Sequence, residues 1–122
     1  MKIRIKGNTV RYRLSKTEVK ELANNGMLEE KTEFINGTLM YAIKQTENVE
    51  LSADFIENTI TLYVPKTALQ NWAATDEVGL ESNMILNDSD TLYLLLEKDF
   101  KCTDADVNED QSDYFENPHL TC

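Results

Sequence analysis

The chain has 122 residues, 22 acidic against 12 basic side chains, and 41% hydrophobic residues. That length supports one domain, or two small halves sharing a core, without a disulfide scaffold. The net charge of −10 disfavours whole-surface affinity for nucleic acid or anionic lipid. No apolar run approaches the roughly 20 residues of a membrane span and no leader-like segment is visible, so the expectation is a soluble, cytoplasmic protein.

Charge is unevenly placed. Residues 1–20 carry Lys2, Arg4, Lys6, Arg11, Arg13, Lys16 and Lys20 against Glu18 alone, a net of +6. Residues 21–101 hold 15 acids and 5 bases, and residues 102–122 hold six acids and no base. A basic front end, an acidic body and an acidic tail result.

The elements read as follows in chain order. Ile3 and Ile5 alternate with Lys2, Arg4 and Lys6, a half-buried strand with its cations outward. Gly7-Asn8 turns the chain, and Val10, Tyr12 and Leu14 alternate with Arg11 and Arg13 on the returning strand. Ser15 and Glu18 form a capping box, Val19, Leu22 and Ala23 make one helical stripe, and Gly26 supplies a left-handed stop. Residues 28–34 and 38–44 predict a hairpin turned by Asn36-Gly37, with Leu39, Tyr41 and Ile43 inward. Leu51, Ala53 and Phe55 predict the inward face of the next strand, Glu57-Asn58 the turn, and Ile60, Leu62 and Val64 the return. Pro65 is expected to start a second helix, where its missing amide is harmless, with Leu69, Trp72 and Ala73 as its stripe. Val78 and Leu80 open a further strand, Asn87 to Asp90 turn, and Leu92, Leu94 and Leu96 complete the pattern. Alternation stops beyond Phe100.

This order contains an internal repeat. Displaced by 50 positions, Asn8-Thr9 falls on Asn58-Thr59 and Lys16-Thr17 on Lys66-Thr67. The apolar phase persists through Val10/Ile60, Tyr12/Leu62, Leu14/Val64, Val19/Leu69 and Leu22/Trp72, and resumes three residues later at Thr38-Leu39 against Thr91-Leu92. The expected fold is mainly β (α+β): two fused strand-strand-helix-strand-strand units, 1–46 and 50–97, forming one pseudo-two-fold barrel with two short helices. That barrel would occupy residues 1–100, with 101–122 as an acidic C-terminal tail.

Lys6-Gly7-Asn8-Thr9 through Arg11-Tyr12-Arg13-Leu14, together with Val64-Pro65 and Asp76-Glu77-Val78-Gly79-Leu80, resemble the swapped-hairpin domain of AbrB-type regulators and MazE-type antitoxins. In that family two half-length chains dimerise into one barrel, so the resemblance implies a monomer that is a covalent pseudo-dimer. Met1-Lys2-Ile3-Arg4-Ile5-Lys6-Gly7-Asn8 and Glu97-Lys98-Asp99-Phe100-Lys101-Cys102 also resemble a family of small uncharacterised bacterial proteins, a likeness that implies fold alone.

Two binding readings follow. Antitoxins of the resembled type carry an acidic extended segment that wraps a basic partner. Here Asp104, Asp106, Glu109, Asp110 and Asp113, with Tyr114 and Phe115 as anchors, are the candidate partner-binding residues. The competing reading is a tail that packs Tyr114-Phe115 back on the barrel and covers an exposed edge. The alternative is a DNA-binding regulator using Lys2, Arg4, Lys6, Arg11 and Arg13. Nucleic acid is disfavoured, because Arg11 and Arg13 fall against Thr61 and Tyr63 in the second unit and only one half is equipped. Residues 104–112 copy the opening oxygen-ligand spacing of a calcium loop, but Glu109 stands at its glycine and Phe115 at its bidentate glutamate. Cys102, His119 and Cys122 lack a fourth ligand. Scattered glycines and a lone histidine supply no phosphate loop or nucleophile elbow. The expectation is a binding protein with no catalytic residues, no metal and no cofactor, acting on a protein partner of basic character.

Overall fold

The computed structural model describes residues 1–101 and 110–116. Eight strands and two helices follow in the order β1 (Lys2–Ile5), β2 (Thr9–Leu14), α1 (Lys16–Asn25), β3 (Met27–Phe34), β4 (Gly37–Thr46), β5 (Ser52–Ile56), β6 (Thr59–Pro65), α2 (Lys66–Ala74), β7 (Gly79–Ile85) and β8 (Thr91–Lys98). The class is therefore mainly β with two helices. The strands form two four-stranded sheets, ordered β1-β2-β8-β7 and β3-β4-β6-β5. Each sheet takes one hairpin from the first half of the chain and one from the second, joined at its centre by a parallel pair, β2 with β8 and β4 with β6. Among the described residues no ladder joins one sheet to the other, so hydrogen bonding makes two sheets and not one closed ring.

One core serves both sheets. Val10, Tyr12, Leu14, Leu94 and Leu96 enter it from the first sheet, and Ile43, Ala53, Leu62 and Val64 from the second. Val19 and Leu22 of α1 and Leu69 and Trp72 of α2 close it. Tyr12, wholly buried, donates its hydroxyl to the Ile60 carbonyl at 2.9 Å and so ties the sheets together. Burial pushes that phenol well above its ordinary pKa, as expected for a group that must stay neutral to donate.

Local chemistry explains the element ends. Ser15 caps α1 and Glu18 returns the bond, the full capping box, which satisfies two of the helix's orphan amides. Gly26 stops α1 with φ at 73°, its amide bonded to the Leu22 carbonyl. Glu57 and Asn58 both adopt positive φ, the geometry of a tight two-residue hairpin turn. Asn87 accepts from the amides of Ser89 and Asp90 and organises the β7–β8 turn.

Several expectations are corrected. The β3–β4 loop is Ile35-Asn36, since Phe34 pairs with Gly37, and neither loop residue has positive φ; the turn sits one residue before the Asn-Gly signal. Pro65 ends β6 opposite Thr46 and occupies the cap position of α2, not its first turn. Val78 lies outside β7 and is exposed. Phe55 and Ile5 keep the inward parity of their strands but are mostly exposed, at 66% and 57%. Both sit beside hairpin turns, where the opposite layer no longer covers the sheet, whereas Leu62 and Leu96 nearer the helices are fully buried.

Candidate interaction site

Two features meet at the β1 edge of the first sheet. The outward positions of β1 and β2 place Lys2 directly opposite Arg13 and Arg4 opposite Arg11. Like charges facing across an antiparallel pair are unfavourable, so their environment decides how each is held. Arg13 Nε bonds Glu97 Oε1 on β8 at 2.5 Å, and Lys2 Nζ reaches Asp99 Oδ2 at 2.9 Å. Arg11 stands near Tyr93, whose hydroxyl bonds Glu81 and is raised by that bond while Arg11 pulls it back. Two of the five hairpin cations are thus paired, by Glu97 of β8 and by Asp99 just beyond it, while Arg4, Lys6 and Arg11 make no ion pair among the described residues.

The second feature is the segment 110–116, which packs back onto the body. Residues 113–116 each make specific contacts. The Asp113 carbonyl accepts from the Lys16 amide at 2.8 Å, and its carboxylate accepts from the Thr17 amide at 3.2 Å. The segment therefore adds a cap to the N-terminus of α1, where partial positive charge favours an anion. Hydrogen bonds from Ser15 and Thr17 hold the Asp113 carboxyl below its usual range. Phe115 forms a parallel bridge with Phe100: its amide donates to the Asp99 carbonyl at 2.8 Å and its carbonyl accepts from Lys101 at 2.7 Å. Its ring lies 6.0 Å from that of Phe100. Tyr114 accepts from Lys2 Nζ at 2.7 Å, and the same ammonium lies 4.6 Å from the tyrosine ring centre. Glu116 pairs with Lys101 at 2.7 Å, which lowers its carboxyl pKa.

Lys98 lies beneath this segment. Only 5% exposed, it donates to the Thr75 carbonyl at 2.7 Å and sits 5.5 Å from the Trp72 ring and 5.3 Å from that of Phe115. Burial lowers its ammonium pKa, opposed by Asp76 and Glu77. An open groove of about 300 Å³ borders the segment between α1 and α2, with Val19, Ala23 and Ala73 along its floor and Lys16, Lys20 and Phe115 at its rim.

Of the acidic-tail candidates, Asp113, Tyr114 and Phe115 are brought together with the body, and Asp110 lies exposed at the start of the same segment. Asp104, Asp106 and Glu109 lie outside the described residues, as do Cys102, His119 and Cys122. Sequence reasoning missed Lys98, Asp99, Phe100 and Lys101 as the surface that receives the segment. A signal was present: the period of two through Leu92, Leu94 and Leu96 points Lys98 inward. Among the described residues no group of three His, Cys, Asp or Glu side chains converges as a metal site, and no helix is long and apolar enough to cross a membrane.

Residues 1–119 match the model of a family of unknown function. The chain belongs to that family, DUF7009. The DUF7009 match runs through the docked segment as well as the two sheets. No curated protein and no solved structure matches the chain.

Proposed function

We propose that this chain is a non-enzymatic protein-interaction module of the cytoplasm, related in form to AbrB-type regulators and MazE-type antitoxins, that engages a basic partner through its acidic C-terminal region. The form of the body supports an internal repeat folded as one pseudo-two-fold unit and acting as a monomer. Tyr12 pairs with Leu96 where Leu62 pairs with Ile43, and the offsets, 50 from Tyr12 to Leu62 and 53 from Ile43 to Leu96, are those of the repeat. Val19 and Leu22 are buried in α1 as Leu69 and Trp72 are in α2.

The observation that carries the functional reading is how residues 113–116 are held. They lie at the surface, none fully buried, gripped by a main-chain bridge, a helix cap, ammonium groups and a ring contact. Here the basic surface is the chain's own, and the same chemistry is what a basic partner would offer this acidic segment. The test is affinity capture with the tagged full chain beside a variant neutralised at Asp104, Asp106, Glu109 and Asp110. A protein recovered with the wild type, released by salt and lost with the variant supports the reading; identical recovery from both refutes it.

One observation favours a second reading. The Lys2–Arg13 and Arg4–Arg11 pairs concentrate cations on one face against their mutual repulsion, an arrangement suited to phosphates. The second unit offers Ser52 and Tyr63 at the positions matching Lys2 and Arg13, so such a site is one-sided and ranks below protein binding.

A further inference from the structure

The surface under residues 113–116 has the make-up of a peptide site in its own right. It offers the Asp99 carbonyl and Lys101 amide, which Phe115 now pairs, for strand-like bonding, the α1 N-terminus for a carboxylate, Phe100 for a ring, and the ammonium groups of Lys2 and Lys101. None of these depends on the ligand being in the same chain. We propose that this seat is a docking site for an acidic, aromatic-bearing peptide of a partner protein, and that the chain's own Asp113-Tyr114-Phe115-Glu116 occupies it as an intramolecular strap.

The geometry specifies the ligand class. An acid two residues before an aromatic reaches the α1 amides while the ring packs on Phe100, and an acid directly after it meets Lys101, as Asp113, Phe115 and Glu116 do. The strap itself is removable. Its residues are partly exposed and held by one bridge, one helix cap, an ion pair and a single ring, and elements held by so few buried apolar contacts open at a fraction of the global stability. Phe115 packs against the core that holds Trp72, Leu22 and Leu69 but is itself only partly buried. Release would uncover Phe100, Lys98 and one rim of the groove between α1 and α2. While tethered, the strap competes at an effective concentration on the order of millimolar, so a partner peptide must exceed that advantage or the strap must first be weakened.

The proposal rests on the protein-interaction reading and is tested without the unknown partner. A fluorescein-labelled peptide of sequence DQSDYFE, residues 110–116, is titrated into the full chain and into the full-length double variant Asp113→Ala/Phe115→Ala, with anisotropy as the readout. Saturable binding to the variant, at least about tenfold tighter than to the wild type and abolished by adding Lys101→Glu, is the expected result. No saturable binding to the variant, equal binding to both, or indifference to Lys101→Glu overturns the proposal. Should the variant lose its fold, amide exchange in the wild type decides. Thr17 and Phe115 amides exchanging at least about a hundredfold faster than those of Tyr12 and Leu96 support a removable strap, and equal protection overturns it. Failure here with successful capture by Asp104 to Asp110 leaves the functional reading standing; peptide binding without capture does the reverse.

Discussion

Replacement of Trp72 by alanine tests the core that both halves share. The indole is wholly buried among residues of both sheets and α1, and its Nε1 donates to the Val78 carbonyl at 3.1 Å. Truncating a buried aromatic costs about 3–5 kcal/mol through lost transfer energy and the cavity left behind. Collapse around that cavity is restricted, because Tyr12, Leu62 and Leu96 are fixed by ladders on both sides. Loss of the hydrogen bond adds about 1 kcal/mol, giving a total near 4–6 kcal/mol. A chain of this length is stable by roughly 6–18 kcal/mol, so Trp72→Ala should remove between a quarter and most of it. Urea unfolding followed by far-UV circular dichroism measures the loss, since the substitution removes the sole tryptophan. Trp72→Phe keeps most of the ring's volume and should cost about 1–2 kcal/mol, for the smaller ring and the lost Nε1 bond, since the Val78 carbonyl keeps its bond from the Lys98 amide at 3.1 Å. A Trp72→Ala cost below about 1.5 kcal/mol, or a Trp72→Phe cost equal to it, would refute the argument that packing at this position holds the halves together.

Four further outcomes are expected. Phe115→Ala should lower stability by about 1–1.5 kcal/mol in the same urea assay, the share of a half-buried ring. Asp113 and Glu116 have pKa values lowered by their hydrogen bonds to α1 and to Lys101. Their contribution is complete above the ordinary carboxylate range and is lost as the pH falls through the lowered values. The strap should therefore undock on acidification from about pH 4 downward, seen as loss of Phe115 amide protection before that of Leu96; simultaneous loss would contradict this. Gly79→Ala would place a Cβ 2.8 Å from the Leu96 carbonyl oxygen, a backbone clash expected to cost about 1–3 kcal/mol in the same urea assay. Binding to a labelled DNA duplex should be weak, insensitive to sequence and absent at about 0.15 M salt. Tight, selective binding there that Arg4→Ser or Arg11→Ser weakens would favour the second reading.

The sequence alone determined whatever depends on neighbours within a few positions. The Ser15–Glu18 box, the left-handed Gly26, the Glu57-Asn58 turn and the alternation of Val10, Tyr12 and Leu14 are short-range physics, and each appears where the residues demand it. The mainly β class with two helices was legible too, since side-chain parity and helix stripe are written along the chain. Where two short-range signals compete, as between Ile35-Asn36 and Asn36-Gly37, strand register decides: Phe34 opposite Gly37 fixes the turn one residue early. Only the tertiary structure decided what lies across space. Phe55 and Ile5 have inward parity, yet their burial depends on how far the opposite layer reaches, a quantity no local pattern encodes. The same holds for the candidate site. Asp113 lies nearly a hundred residues from the Thr17 amide it caps, and Phe115 meets Phe100 only because β8 ends beside the start of α1, where the Leu14 carbonyl accepts from Asp99. Composition identified an acidic, aromatic segment; the cationic seat that receives it is assembled from three separate stretches of chain, and only folding brings them together.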